Sequence, residues 1–277
     1  MNLPKQWLKP LLFSFLPIPE NYIIKNIKPM NLKQNYSSYT EENHHVWTLL
    51  FDRQVENLPE KAIPEFLEGL HKVGFSRERI PDFDEVNQRI KPITGFEVVA
   101  APGIVDDALF FGLIAEKKFP ATVWIRRMDQ LDYLEEPDMF HDVFGHVPLL
   151  TIPVYCEFLA ELSAMALEHV DRPDIIDRLT RIYWYTIEFG LFRKPGDKAR
   201  IYGAGILSSV GESNLSVSDE SVKHDFDVQH ILDTPYIKET FQSQYFCIDS
   251  FEQLLHSLPE IRACVARLRE ELEVVEG

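Results

Sequence analysis

Two histidines and one glutamate carry the strongest chemistry in this chain. His141 and His146 fall in the run Pro137-Asp138-Met139-Phe140-His141-Asp142-Val143-Phe144-Gly145-His146-Val147-Pro148, and Glu188 follows in the aromatic segment 182–190. Two neutral imidazoles and one carboxylate on one face of a divalent metal leave its other positions open, which suits Fe(II) that must take up dioxygen beside a substrate. A structural zinc site would instead close all four positions, usually with thiolates. The cysteines Cys156, Cys247 and Cys264 are odd in number and contain no CxxC pair, so neither a thiolate zinc site nor a disulfide framework is indicated.

The spacing constrains the elements that must hold these ligands. Zinc proteases place H-E-x-x-H on one helical face with a glutamate base, whereas here the histidines are at i and i+5 and the residue after the first is Asp142, too short for that base. Five residues of straight α-helix turn through about 500°, leaving the imidazoles about 140° apart. The helix must therefore end or distort between them. Gly145 tolerates positive φ and Pro148 forbids continuation, which predicts that His146 sits where the helix unwinds. Two histidines near a helix end are also compatible with surface or capped core positions. Glu188, however, lies beside Trp184, Tyr185 and Phe189, where an unpaired carboxylate is costly and a metal would remove the cost.

Around these residues the hydrophobic periodicity is mostly helical. Thr40 can cap a helix opening Glu41-Glu42-Asn43, and helices are expected over 64–72, 82–90, 106–117, 154–170, 174–189 and 259–274. Short strands are expected over 96–101, 121–125, 199–202 and 245–248, with Pro102-Gly103 as a turn. The fold class is mainly α with small β elements. The 277 residues, 45% hydrophobic and 12% aromatic, suffice for one domain with a substantial core.

Three stretches, 137–148, 182–190 and 202–212, together with Gly74-Phe75, Ile80-Pro81 and Thr94-Gly95-Phe96, resemble in order the pterin-dependent aromatic amino acid hydroxylases. The likeness runs from about Tyr39 to about Phe251 and is greatest to the bacterial single-domain members that hydroxylate phenylalanine. It implies that the domain is an aromatic amino acid hydroxylase catalytic domain, with Fe(II) on His141, His146 and Glu188, a tetrahydropterin reductant and O2 as co-substrate. The implied reaction is ring hydroxylation of L-phenylalanine to L-tyrosine, with tryptophan or tyrosine as alternative substrates. Arg126, fifteen residues before His141, stands where the family forks an arginine onto the substrate carboxylate, a planar contact that lysine reproduces poorly. Trp184 and Phe189, with Pro137 opposite, match the ring pocket. Gly205 and Ser208 match substrate-backbone contacts. Phe110 matches the pterin-stacking position, and Gly103, Val105 and Asp107 match the loop that hydrogen-bonds the pterin, with Asp142 nearby acting through water. Aromatics at helical spacing are also ordinary core. Leu134 departs from the threonine that helps hold substrate in animal members.

Composition narrows the partners. With 44 acidic against 28 basic residues the formal charge is −16, which opposes a phosphate backbone or an anionic membrane surface, so neither nucleic acid nor membrane is expected. A small amino acid substrate is expected, with the pterin-recycling enzymes carbinolamine dehydratase and dihydropteridine reductase as pathway partners. Lys5 and Lys9 precede an apolar stretch, but Pro10, Pro17 and Pro19 break it and no small-residue cleavage site follows. Residues 1–29 are expected to be an extension before a catalytic domain at 30–277, in a reduced, cytoplasmic setting. Ile261, Val265, Leu268 and Leu272 make one apolar stripe, too short for a coiled coil, which predicts a helix docked on its own domain and a monomer. Two rival classes remain: a zinc hydrolase, and a metal-free binding or scaffold protein.

Overall fold

Thr40 begins the first long helix by a reciprocal cap. Its Oγ1 accepts from the Asn43 backbone N–H at 3.2 Å while Asn43 Oδ1 accepts from Thr40 N–H at 3.0 Å, opening α1 (Glu41–Asn57). The structure is a computed structural model that describes residues 32–101, 106–132, 137–238 and 240–276, the last five as backbone only. The expected boundary at 29/30, the expected pterin contacts Gly103 and Val105, and Leu134 lie outside the described residues, as does the side chain of Leu272.

The next elements follow similar local chemistry. Pro64 occupies the first turn of α2 (Pro64–Val73), which ends at Gly74 with φ 75°. Asp82 caps α3 (Phe83–Thr94), which ends at Gly95 with φ 80°. Strands β1 (Glu97–Ala101) and β2 (Lys118–Thr122) pair in parallel, joined by α4 (Asp107–Ala115). Asp106 caps that helix through Leu109 N–H at 2.8 Å. β2 starts and ends earlier than the apolar run 121–125 suggests. Its end is explained by side-chain competition for the backbone: Thr122 N–H donates to Asp142 Oδ2 at 2.7 Å, and Val123 C=O accepts from Tyr39 Oη–H at 2.7 Å.

The histidine-bearing segment lies over an aromatic core. Phe140 and Phe144 stack at 4.7 Å with an interplanar angle of 13°, Trp47 meets Phe140 edge-on at 5.5 Å, and Phe66 meets Phe144 at 5.7 Å. Helix α5 (Pro153–Leu167) is the hydrophobic centre, burying Tyr155, Phe158, Leu159, Leu162 and Met165. Helix α6 (Pro173–Tyr183) leads into the glutamate segment. Each fully buried Leu or Phe contributes roughly 1.5–3 kcal/mol, so the ligand segments rest on a stiff platform.

A second sheet closes the other side of the chain's path, in the order β4-β3-β6-β5. It comprises β3 (Leu191–Phe192), β4 (Arg200–Ile201), β5 (Val222–Asp225) and β6 (Gln244–Ile248). β3 has two residues, and β5 reads Val-Lys-His-Asp with no apolar alternation, so neither carries a strand signal. The short helices α7 (Ala204–Leu207), α8 (Val210–Val217) and α9 (Val228–Asp233) were equally silent, being brief and, in the first two, interrupted by glycine and serine. The closing helix α10 (Phe251–Glu276) begins at Phe251 rather than at 259, with Pro259 inside it at the loss of one backbone bond. Its Ile261, Cys264 and Val265 are buried, Leu268 packs on the core, and Arg262 forks onto Glu168, the residue that caps α5, at 2.6 and 3.0 Å. Among the described residues no single helix is long and apolar enough to cross a membrane.

Candidate metal centre and substrate pocket

The i, i+5 spacing is accommodated by a wider helix. Residues Phe140–His146 form a π-helical turn, whose i→i+5 pattern brings the residue five along back over the first, and the chain then tightens into a 3₁₀ turn, Val147–Thr151. The expected distortion is therefore present, but as widening rather than unwinding at His146. Gly145 has no positive φ. Its place is set by close packing instead, because a Cβ there would lie 2.7 Å from Ala204 C=O at the start of α7. The glutamate segment repeats the device: Trp184–Glu188 is also π-helical, and Phe189 N–H donates to Trp184 C=O at 2.8 Å, an i→i+5 bond. Such turns concentrate at functional sites because they cost backbone regularity.

Together the two turns bring His141, His146 and Glu188 within 4.8 Å of one another by one donor atom each. Glu188 Oε1 lies 3.2 Å from His146 Nε2 and Oε2 lies 3.5 Å from His141 Nε2. Ser208 Oγ lies 2.9 Å from His141 Nδ1 and 2.9 Å from Ala204 C=O, so it orients the His141 ring from the end of α7. With Nδ1 engaged by Ser208, Nε2 is the His141 nitrogen that faces the Glu188 carboxylate. Two imidazole nitrogens and a carboxylate of one largely buried cluster converge on one point, and His146 Nδ1 is buried without a protein partner. The residues fit a divalent metal. Burial pushes the Glu188 carboxyl up, but His146 and His141 outweigh it and hold the group below the usual carboxylate range.

Asp138, to which sequence reasoning gave no role, ties the substrate arginine to the metal turn. Its carboxylate is fully buried and accepts from Arg126 Nε at 2.8 Å, Nη2 at 2.9 Å and backbone N–H at 3.0 Å. It also accepts from the His141 N–H three residues on, at 3.2 Å. An aspartate three residues before a ligand at a helix start is the signal that could have found it. The fork uses the Nε edge of Arg126, while at the Nη1/Nη2 end Nη1 makes only a long 3.5 Å bond to Leu131 C=O, which a second carboxylate could replace. Asp142 sits beside the donors: Oδ2 accepts from Thr122 N–H and Oδ1 lies 4.0 Å from His141 Nε2, while burial pushes its carboxyl up.

The aromatic residues expected at the ring pocket gather next to Glu188. Trp184 and Phe189 lie 4.7 Å apart, and Tyr236 stacks on Trp184 at 4.6 Å and 24°. Gly205 permits close approach, since a Cβ there would meet the Phe189 ring at 2.8 Å. Ser208, expected on the substrate backbone, spends its described bonds on His141 and α7. Phe110, half-buried on α4, meets Tyr183 edge-on at 5.5 Å, and Asp107 is exposed in that helix's first turn. Pro137 is exposed at the entrance to the histidine segment.

Comparison with known proteins agrees with this geometry. The family described as biopterin-dependent aromatic amino acid hydroxylase matches residues 29–275. A phenylalanine-4-hydroxylase of Ralstonia nicotianae is 48% identical over 80% of this chain and 71% of its own length. That of Chromobacterium violaceum is 44% identical over 80% of this chain and 75% of its own. A crystal structure of the C. violaceum phenylalanine hydroxylase with bound iron(III) and oxidized 7,8-dihydrobiopterin superimposes with a TM-score of 0.80 at 39% identity. It covers 92% of this chain and 94% of that one.

Proposed function

The chain belongs to the biopterin-dependent aromatic amino acid hydroxylase family, and from that membership and the facing donors we propose that it hydroxylates L-phenylalanine to L-tyrosine with Fe(II), a tetrahydropterin and O2. The observation that carries the proposal is the set His141, His146 and Glu188 on two π-helical turns, with the His141 ring held at Nδ1 by Ser208. Bound iron and reduced pterin would supply the electrons and the activation of dioxygen that no side chain here can provide.

The protein's own contribution is binding and alignment. The Nη1/Nη2 end of the Arg126 guanidinium takes the amino acid carboxylate in place of its long bond to Leu131 C=O, while Asp138 fixes its other edge. Trp184, Phe189 and Pro137 bound the ring, and Gly205 and Ser208 contact the backbone of the substrate. Phe110 stacks the pterin, and Gly103, Val105 and Asp107 bind its edge. Asp142, largely buried beside His141, would act through water next to a bound metal. Alignment of this kind decides whether oxygen reaches the ring or is wasted.

Several finer readings belong with this proposal. The protein acts in the cytoplasm as a monomer, residues 1–29 form an extension, and carbinolamine dehydratase and dihydropteridine reductase restore its pterin. Ring specificity is tested by presenting iron-loaded protein with phenylalanine, tryptophan and tyrosine side by side. A clear kcat/KM preference for phenylalanine is expected, and a preference for either of the others would overturn the assignment.

A further inference from the structure

A buried carboxylate stands behind the aromatic wall and contacts none of the donors. Glu212 on α8 is 4% exposed, and its Oε1 accepts from Tyr245 Oη–H at 2.5 Å and from Gln242 backbone N–H at 3.0 Å. Burying a carboxyl without a cation is costly, so its retention calls for a structural return. The return is the fixed position of Gln242, itself 5% exposed. The Gln242 side chain has both ends in use. Its Oε1 accepts from the Trp184 indole N–H at 3.0 Å, and its Nε2 donates to Ile237 C=O at 2.8 Å. Ile237 follows Tyr236, whose ring lies on Trp184.

We propose that Gln242, anchored by Glu212, is a positioning residue that sets the Trp184 indole and the Tyr236 ring on it, and so fixes affinity for the aromatic substrate. One amide spans the indole and the loop carbonyl at once, so the two aromatic surfaces cannot shift independently. Trp184 in turn touches Phe189, next to Glu188, which carries the brace to the place where a substrate ring would lie. A buried amide with both ends satisfied specifies one geometry, whereas a purely apolar contact would allow several. Gln242 touches neither substrate nor metal donors in this account. It acts through the indole.

The inference rests on the phenylalanine hydroxylase reading, so affinity and turnover are measured separately on the full chain. Phenylalanine binding is followed by equilibrium dialysis and tyrosine formation by steady-state kinetics. Gln242→Met, close in size and without amide bonds, should raise Kd and KM for phenylalanine about three- to tenfold, the range one neutral hydrogen bond commands, with iron content and pterin KM unchanged. In a Trp184→Phe background, which has no indole N–H, the same substitution should have a clearly smaller effect, since only the Ile237 bond remains to be lost. An equal fold-change in both backgrounds, or an unchanged Kd in Gln242→Met, would overturn the brace. Gln242→Asn supplies the same comparison if the methionine variant does not fold. Absence of tyrosine from the wild type would count against the hydroxylase reading alone, because the binding comparison stands without turnover.

Discussion

Removing the carboxylate of Asp138 should destabilise the protein more than any other single polar substitution near the centre. Asp138 is 0% exposed and the Arg126 side chain 11%, so the pair is shielded from solvent. Asp138→Ala leaves a buried guanidinium with its Nε edge unpaired and strips the acceptor from the backbone N–H groups of Arg126 and His141. Breaking one partner of a buried pair costs about 3–5 kcal/mol. For a domain of this size about 2–4 °C of Tm is lost per kcal/mol, so a fall of roughly 6–20 °C is predicted. Asp138→Asn should lie between, because one oxygen survives while the amide N–H₂ meets a guanidinium donor. Thermal melts by circular dichroism at neutral pH give the shifts, and phenylalanine affinity should fall in the same order. Melting of Asp138→Ala within about 2 °C of wild type would refute the reasoning, since it would mean that the buried pair carries almost no net energy.

Further outcomes follow from the same geometry. His141→Ala, His146→Ala and Glu188→Ala should each abolish tyrosine formation, because loss of one of three ligands removes metal affinity and geometry together, and near-normal turnover by any of them in iron-limited buffer would contradict the centre. Arg126→Lys should raise the KM for phenylalanine strongly with iron content intact, since a point charge held by Asp138 has no second face to offer; equal KM values would remove the residue from substrate binding. Phe110→Ala should raise the pterin KM and the oxygen consumed per tyrosine, and full coupling would displace the pterin from that helix. Glu212 gives a pH dependence: burial raises its carboxyl above the ordinary 4.5, so the stability it contributes is complete below that value and declines as pH rises through the folded pKa. Glu212→Gln cannot ionise and should therefore gain on wild type in Tm as pH increases from 4 to 8, whereas a constant difference would show that the group titrates normally.

The ligand set was legible because its residue types are costly where they sit. Glu188 among aromatics and a histidine pair at i, i+5 both ask for a metal, and the fold places all three together. The manner was not legible, since a π-helical turn has no composition of its own: the spacing showed that a straight α-helix fails, but glycine and proline suggested unwinding where the backbone instead widened. Helices with capping aspartates or threonines and a continuous apolar stripe were readable to within a few residues. Two-residue β3, the polar β5 and the four-residue α7 exist only because neighbours pair or pack with them, and no local pattern marks such elements. The links that convert a list of residues into a site, Asp138 to Arg126, Ser208 to His141 and Gln242 to Trp184, join positions 12, 67 and 58 residues apart in sequence. Their chemistry is visible in the chain, but their pairing requires the fold.

The central claim, that this is an iron- and pterin-dependent monooxygenase acting on phenylalanine, is tested most directly by isotope labelling. Protein loaded anaerobically with Fe(II) is mixed with phenylalanine and tetrahydropterin, then exposed to ¹⁸O₂, and the tyrosine formed is examined by mass spectrometry. The account predicts tyrosine carrying one ¹⁸O in its hydroxyl, and none formed when iron, pterin or oxygen is withheld. Tyrosine formed without pterin, tyrosine lacking the label, or no tyrosine from the fully loaded protein would contradict it.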